Sequence, residues 1–226
     1  MFKSLREIAA DLATDKGESV GYLERYEERF CRKRGDSVKL LELGVYKGGS
    51  LLMWREYFPR GLIVGLDASP TPFAALPGRV RFYQGRQDDA ALLGAIAAEC
   101  APEGFDFIID DAAHVGTVAR ASFQALFGKY LKPAGVYVVE DWGTGYWGNW
   151  ADGAGYRGAP MPGTGHDRNF SSHNFGMVGF VKELVDHLAW GDITREGRGN
   201  PELADPRVGL IREISFFHGQ VFITKA

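Results

Sequence analysis

From residue 40 to residue 140, short apolar runs rich in β-formers alternate with helical patterns, and this alternation constrains the fold of the 226-residue chain more than any other feature. Strands are expected at 38–43, 62–67, 80–84, 105–110 and 135–140. Helices are expected between them at 50–57, 88–100 and 115–131. Strands that alternate with helices in this way pair in parallel through crossover connections, so the fold class is α/β with a doubly wound, mostly parallel sheet. Upstream, Tyr22, Tyr26 and Phe30 recur every four residues amid charge, the pattern of an amphipathic helix whose aromatic stripe is core. Residues 1–36 are read as an N-terminal helical segment. Downstream, residues 142–171 carry eight glycines and no regular period, which fits a lid loop beside a binding site. A helix at 174–190 and strands at 208–215 and 220–225, joined around Phe216-Phe217-His218-Gly219, predict a C-terminal antiparallel hairpin that extends the sheet. All of this fits one domain over 1–226.

Charge and cysteine content exclude several classes. The formal net charge of −3 and the charged fraction of 24% leave no surplus of positive charge to hold nucleic acid or a membrane surface. The first residues interrupt apolar positions with charge, unlike a signal peptide, so the expected location is the cytoplasm. Cys31 and Cys100 match no metal or redox spacing and are expected as reduced thiols. The glycosylation-like Asn169-Phe170-Ser171 is read as chance.

The first strand runs through Glu42 into a turn with Gly44, Gly48 and Gly49 and then into a helix at Ser50. Glycines at such a turn let backbone approach a ligand. The spacing is neither the dinucleotide fingerprint nor a Walker loop. It resembles the first motif of class I methyltransferases, which implies a Rossmann-like fold and places the methionine end of S-adenosylmethionine at this turn. Asp67 ends the second strand, where a carboxylate can accept hydrogen bonds from both ribose hydroxyls of an adenosyl group. Gln87 and Asp88 follow the third strand, where such enzymes contact the adenine; Asp88 also suits a helix N-cap.

Asp110, Asp111 and His114 follow the fourth strand, and Glu140 and Asp141 the fifth. One acid after a strand only begins a turn, whereas two acidic pairs at neighbouring strand ends repel each other and need an offset. A hard divalent cation such as Mg²⁺ supplies one through oxygen ligands.

Taken with Ser122-Phe123-Gln124, Gly135-Val136-Tyr137, Tyr146-Trp147, Thr14-Asp15-Lys16 and Met177-Val178-Gly179, these residues resemble the metal-dependent O-methyltransferases that act on macrolide-antibiotic sugars. More distantly they resemble cephalosporin-hydroxylase-like proteins. The resemblance implies Asp111, Glu140 and Asp141 as metal ligands, His114 as general base and Asp110 beside the cofactor's methionine portion. It implies S-adenosylmethionine and Mg²⁺ as cofactors, a small-molecule hydroxyl acceptor (a sugar or other natural product) and a homo-oligomer. Two departures stand out: Ala112-Ala113 replaces a Gly-Ser pair, and Val20-Gly21 stands where the family carries a histidine. The second departure leaves the acceptor open. Competing expectations are a catechol-type O-methyltransferase, a silent adenosyl-binding module and a nicotinamide oxidoreductase. Trp142, Tyr146, Trp147 and Trp150 are expected to close over the acceptor, and His166, His173, His187 and His218 to be surface or structural.

Overall fold

The computed structural model describes residues 2–12, 14–17, 20–71, 73–157, 174–193 and 210–226. Seven strands form one sheet in the order β3-β2-β1-β4-β5-β7-β6. They are β1 (Lys39–Leu43), β2 (Leu62–Asp67), β3 (Val80–Gln84), β4 (Phe105–Asp110), β5 (Leu131–Glu140), β6 (Ile211–Phe216) and β7 (Gln220–Lys225). The first five pair in parallel, whereas β7 runs antiparallel to β5 and β6 antiparallel to β7. This is the Rossmann-like sheet with the antiparallel C-terminal hairpin that the sequence predicts.

Alternation along the strands assigns each side chain to a face. Leu41, Val64, Ile108, Tyr137 and Val139 point into the layer beneath α4 (Ala90–Cys100), α5 (Gly116–Tyr130) and α7 (Gly176–Ile193). Leu40, Ile63, Phe107, Ile109 and Val138 point into the opposite layer, under α1 (Leu5–Ala10), α2 (Tyr22–Phe30) and α3 (Gly49–Tyr57). With both faces covered, the central strands read as continuous apolar runs. The aromatic stripe of α2 is core as expected: Tyr26 packs on Trp54 and Phe222, and Phe30 stacks on Phe107 at 3.8 Å.

Local chemistry sets the helix starts. Ser4 and Glu7 form a capping box on α1. Asp89, not Asp88, caps α4 by accepting from the backbone N–H groups of Ala91 and Leu92, so the helix begins two residues later than the sequence suggests. β5 begins earlier than expected, because α5 runs directly into it and the Lys132-Pro133-Ala134 stretch is absorbed where the pairing register with β4 shifts. Residues 142–171 are not wholly irregular either. Trp142–Tyr146 is a 3₁₀ turn, and α6 (Ala151–Gly155) follows it. The stretch 158–171 of the expected lid, with His166 and the glycosylation-like tripeptide, lies outside the described residues, as do His173 and the start of the strand expected at 208. Cys31 and Cys100 are free thiols. Among the described residues no helix is long and apolar enough to cross a membrane.

At the edge opposite the strands' carboxyl ends, Asp106 ties three elements together. It accepts from Lys33 Nζ at 3.0 Å, Lys132 Nζ at 2.9 Å and the Lys39 backbone N–H at 2.9 Å. Burial alone would raise its pKa, but these donors outweigh burial and hold the carboxyl below its ordinary 3.8. A depressed folded-state pKa contributes stability that is present above the unfolded value and lost as pH falls through the folded one. Asp106→Asn should therefore cost about 2 kcal/mol at pH 7, a drop of roughly 4–8 °C in Tm. The gap to wild type should close below about pH 4 in melting curves; a gap that persists undiminished at pH 2 would contradict this role.

Candidate active site

The sheet reverses its winding between β1 and β4, where strands on either side lead away in opposite directions. Ligands of open α/β sheets bind at such a switch point, beyond the carboxyl ends of the strands. An open cleft of about 1360 Å³ lies there. Single-ligand pockets run about 300–1,000 Å³, so this one has room for two molecules side by side. Its walls include Gly44, Ser50, Asp67, Gln87, Asp88, Asp111, His114 and Asp141, all singled out in the sequence, together with Thr14, Asp15 and Trp150. Glu42, Gly48, Asp110 and Glu140 stand behind the wall.

The glycine turn is shaped first by the chain itself. At Gly44 φ is +86°, and a Cβ there would lie 2.1 Å from the Asp111 carbonyl oxygen, so the backbone after β4 crosses directly over it. Gly48, with φ +82°, opens α3. Asp67 Oδ2 accepts from the N–H groups of Val45 and Tyr46 at 2.8 and 3.0 Å, and Oδ1 accepts from Ser69 N–H. Burial would raise the Asp67 pKa, but these three backbone donors hold it below 3.8, so it faces the cleft as an anion.

Gln87 braces the turn that carries the histidine. Its Nε2 donates to Asp110 Oδ1 and Ser122 Oγ, both at 2.8 Å, and its Oε1 accepts from Ala113 N–H at 2.7 Å. Burial pushes Asp110 up to about 6, against the stabilising hydrogen bonds from Gln87 and Tyr137. Asp88 pairs with Arg86 at the cleft rim.

Asp111, His114 and Asp141 converge, each offering one donor atom within 4.8 Å of the others. His114 Nε2 stands 3.8 Å from Asp111 Oδ1 and 4.0 Å from Asp141 Oδ2, too far for hydrogen bonds but near enough to share a small guest. His114 and Asp141 adopt positive φ, 49° and 52°, as does Tyr46 at 48°. Non-glycine residues in that region are uncommon, and three of the five among the described residues line this cleft, Arg79 and Ala134 lying elsewhere.

Glu140 turns away from this trio. It is 2% exposed, accepts from the Tyr26 hydroxyl through Oε1, and pairs with Lys16 through Oε2 at 2.9 Å. Burial and the nearby Asp111 charge push its pKa well above the ordinary value. The Tyr22 hydroxyl donates to Asp141 Oδ1 at 2.6 Å. Neither tyrosine hydroxyl nor Lys16 was expected at the site. The signals in the sequence were Thr14-Asp15-Lys16 within the family resemblance and a stripe with tyrosines where phenylalanine would pack as well.

The aromatics after β5 divide. Trp150 lines the cleft and packs its edge on His114, ring centroids 5.4 Å apart. Trp142 instead bonds the Phe217 carbonyl and packs on Phe216, Tyr146 reaches Lys182, and Trp147 is 53% exposed. His187 and His218 lie away from the cleft.

No protein-family model matches the chain. It is similar to the demethylmacrocin O-methyltransferase of Streptomyces fradiae, 34% identical over 230 residues that cover 98% of this chain and 53% of the relative. A tetracenomycin 3'-O-methyltransferase of Streptomyces olivaceus, named for an 8-(2-methoxy-alpha-L-rhamnosyl) substrate, is 35% identical over 89% of this chain and 49% of its own length. The solved MycE methyltransferase of the mycinamycin biosynthetic pathway, in complex with Mg and SAH, superposes with a TM-score of 0.80 at 30% identity and covers all of this chain and 55% of its own. The chain thus spans about half the length of the relatives it matches.

Gln87→Ala would leave Ala113 N–H without its acceptor and take one donor each from the Asp110 carboxyl and the Ser122 hydroxyl, which keep their bonds to Tyr137 and Val118. Unsatisfied buried groups cost about 1–3 kcal/mol each, so a drop of roughly 2–4 kcal/mol is expected, read as a fall in Tm. A variant that melts within 1 °C of wild type (about 0.3–0.5 kcal/mol) would mean that the brace does not hold the turn.

Proposed function

We propose that this chain, homologous throughout its length to sugar O-methyltransferases of natural products, transfers a methyl group from S-adenosylmethionine to a sugar hydroxyl with the help of a divalent cation. The observation that carries this reading is the convergence of His114 with Asp111 and Asp141 in a cleft that has room for two ligands. In this reading Gly44, Gly48, Ser50, Asp67, Gln87, Asp88, Glu42 and Asp110 form the cofactor end of the cleft. Those at the wall touch the cofactor, and the others support it from behind. Asp111 and Asp141 would hold the cation, whereas Glu140, grouped with them in the sequence, has both oxygens engaged by Tyr26 and Lys16 and backs the site. The donor set fits a hard ion, since carboxylate oxygens suit Mg²⁺ and two of them stay open to the cleft.

When bound, the cofactor supplies a sulfonium methyl and the cation makes a bound hydroxyl more acidic. The chain's own work is proton removal and alignment. Among the described residues His114 is the one imidazole on the cleft wall, and it takes the proton of the acceptor hydroxyl. Trp150 holds the imidazole on one side and offers an apolar face to a sugar ring. Positioning of the two reactants contributes up to about 7–11 kcal/mol, more than the base, whose usual share is about 10²–10⁴-fold.

The test is methyl transfer from labelled S-adenosylmethionine to deoxysugar glycosides of polyketides, with catechol as the competing acceptor. Label should appear on the sugar, vanish with excess chelator and return with Mg²⁺. His114→Ala should keep its Tm and lose about 10²–10⁴-fold in turnover. Transfer to catechol alone, or full activity in chelator, would overturn the reading.

A further inference from the structure

A lysine from the N-terminal segment sits among the strand-end acids. Lys16 is 2% exposed, and its Nζ lies 2.8 Å from Asp111 Oδ2, 2.9 Å from Glu140 Oε2 and 3.3 Å from Glu42 Oε1. These carboxylates come from β1, the turn after β4 and the end of β5, so one ammonium joins three adjacent strand ends.

The remaining oxygens can be accounted for one by one. Glu42 Oε2 accepts from the Ser50 hydroxyl, Glu140 Oε1 from the Tyr26 hydroxyl and Asp141 Oδ1 from the Tyr22 hydroxyl. Glu42 Oε1 has no hydrogen-bond donor but is buried against the Lys16 ammonium, so among the described residues the oxygens left open to the cleft are Asp111 Oδ1 and Asp141 Oδ2, the two nearest His114 Nε2. Two-metal sites hold their ions about 3.5–4 Å apart between shared carboxylates. The position where Glu42, Asp111 and Glu140 converge shares Asp111 with the trio at His114, and the Lys16 ammonium fills it.

We propose that Lys16 is a built-in counter-ion that occupies a second cation position, limits the site to one divalent ion, and turns Asp111 Oδ1 toward it, while the Tyr22 hydroxyl holds Asp141 with Oδ2 facing the same way. The inference rests on the cation site proposed above. Lys16 is a positioning residue, since it meets the cleft only through the acids it holds.

Mn²⁺ titration followed by electron paramagnetic resonance tests this on the full chain. Wild type and Lys16→Arg should each bind one Mn²⁺. Lys16→Gln and Lys16→Met should melt lower without metal, bind a second Mn²⁺ whose signal is broadened by the first, and gain more Tm from the metal than wild type does. A structural staple alone would lower Tm without adding an ion. Folded neutral variants that bind one ion with wild-type affinity would overturn the inference while leaving the cation site intact. Wild type that takes up no Mn²⁺ would overturn the cation site and this inference with it. Should neither neutral variant fold, the wild-type count decides: one ion supports the inference and two overturn it.

Discussion

Like charges packed at the ends of adjacent strands repel, and the sheet places Glu42, Asp110, Asp111, Glu140 and Asp141 within one small region at its switch point. The ion cluster at Lys16 resolves that repulsion. Its strength depends on burial: in a low-dielectric setting both the attraction and the penalty for an unmatched charge grow, so the cluster must be nearly complete to be tolerated. Because Lys16 belongs to a 3₁₀ turn before α2, the N-terminal segment is part of the site and not an appendage to it. Tyr22 and Tyr26 extend the same logic, with rings in the core and hydroxyls on the acids.

Much of this architecture was legible in the sequence. Alternating apolar runs specified β1 to β5 to within a few residues, since a parallel strand covered on both faces has few other ways to be written. The acidic strand ends and His114 were visible because polar residues directly after an apolar strand must sit at its carboxyl edge. Lys16 was not visible as a partner. Its nearest acid in the cluster is 26 residues away in sequence and Glu140 is 124 away, and only the folded sheet brings them together. Repulsion among the strand-end acids is legible in the sequence and points to a cation, but not to the positive charge that the chain itself supplies at Lys16.

The glycine turn shows a second way in which sequence reading falls short. A glycine-rich turn signals close approach without saying what approaches. At Gly44 the neighbour is the chain's own Asp111–Ala112 backbone, which fixes the β4 turn against the β1 turn and so sets the distance between the glycine turn and His114. Gln87 has the same double aspect: it was singled out for a ligand, lies on the cleft wall, and spends both ends of its amide bracing the histidine turn.

The central claim is that one divalent cation sits between Asp111 and Asp141 in front of His114. Anomalous diffraction from crystals soaked with Mn²⁺ and S-adenosylhomocysteine measures this most directly. The account predicts a single peak about 2.1 Å from carboxylate oxygens of Asp111 and Asp141, on the cleft side of the acids, with the Lys16 ammonium still in place behind them. A peak at the Lys16 position with the lysine displaced, or no peak in the cleft, would contradict it.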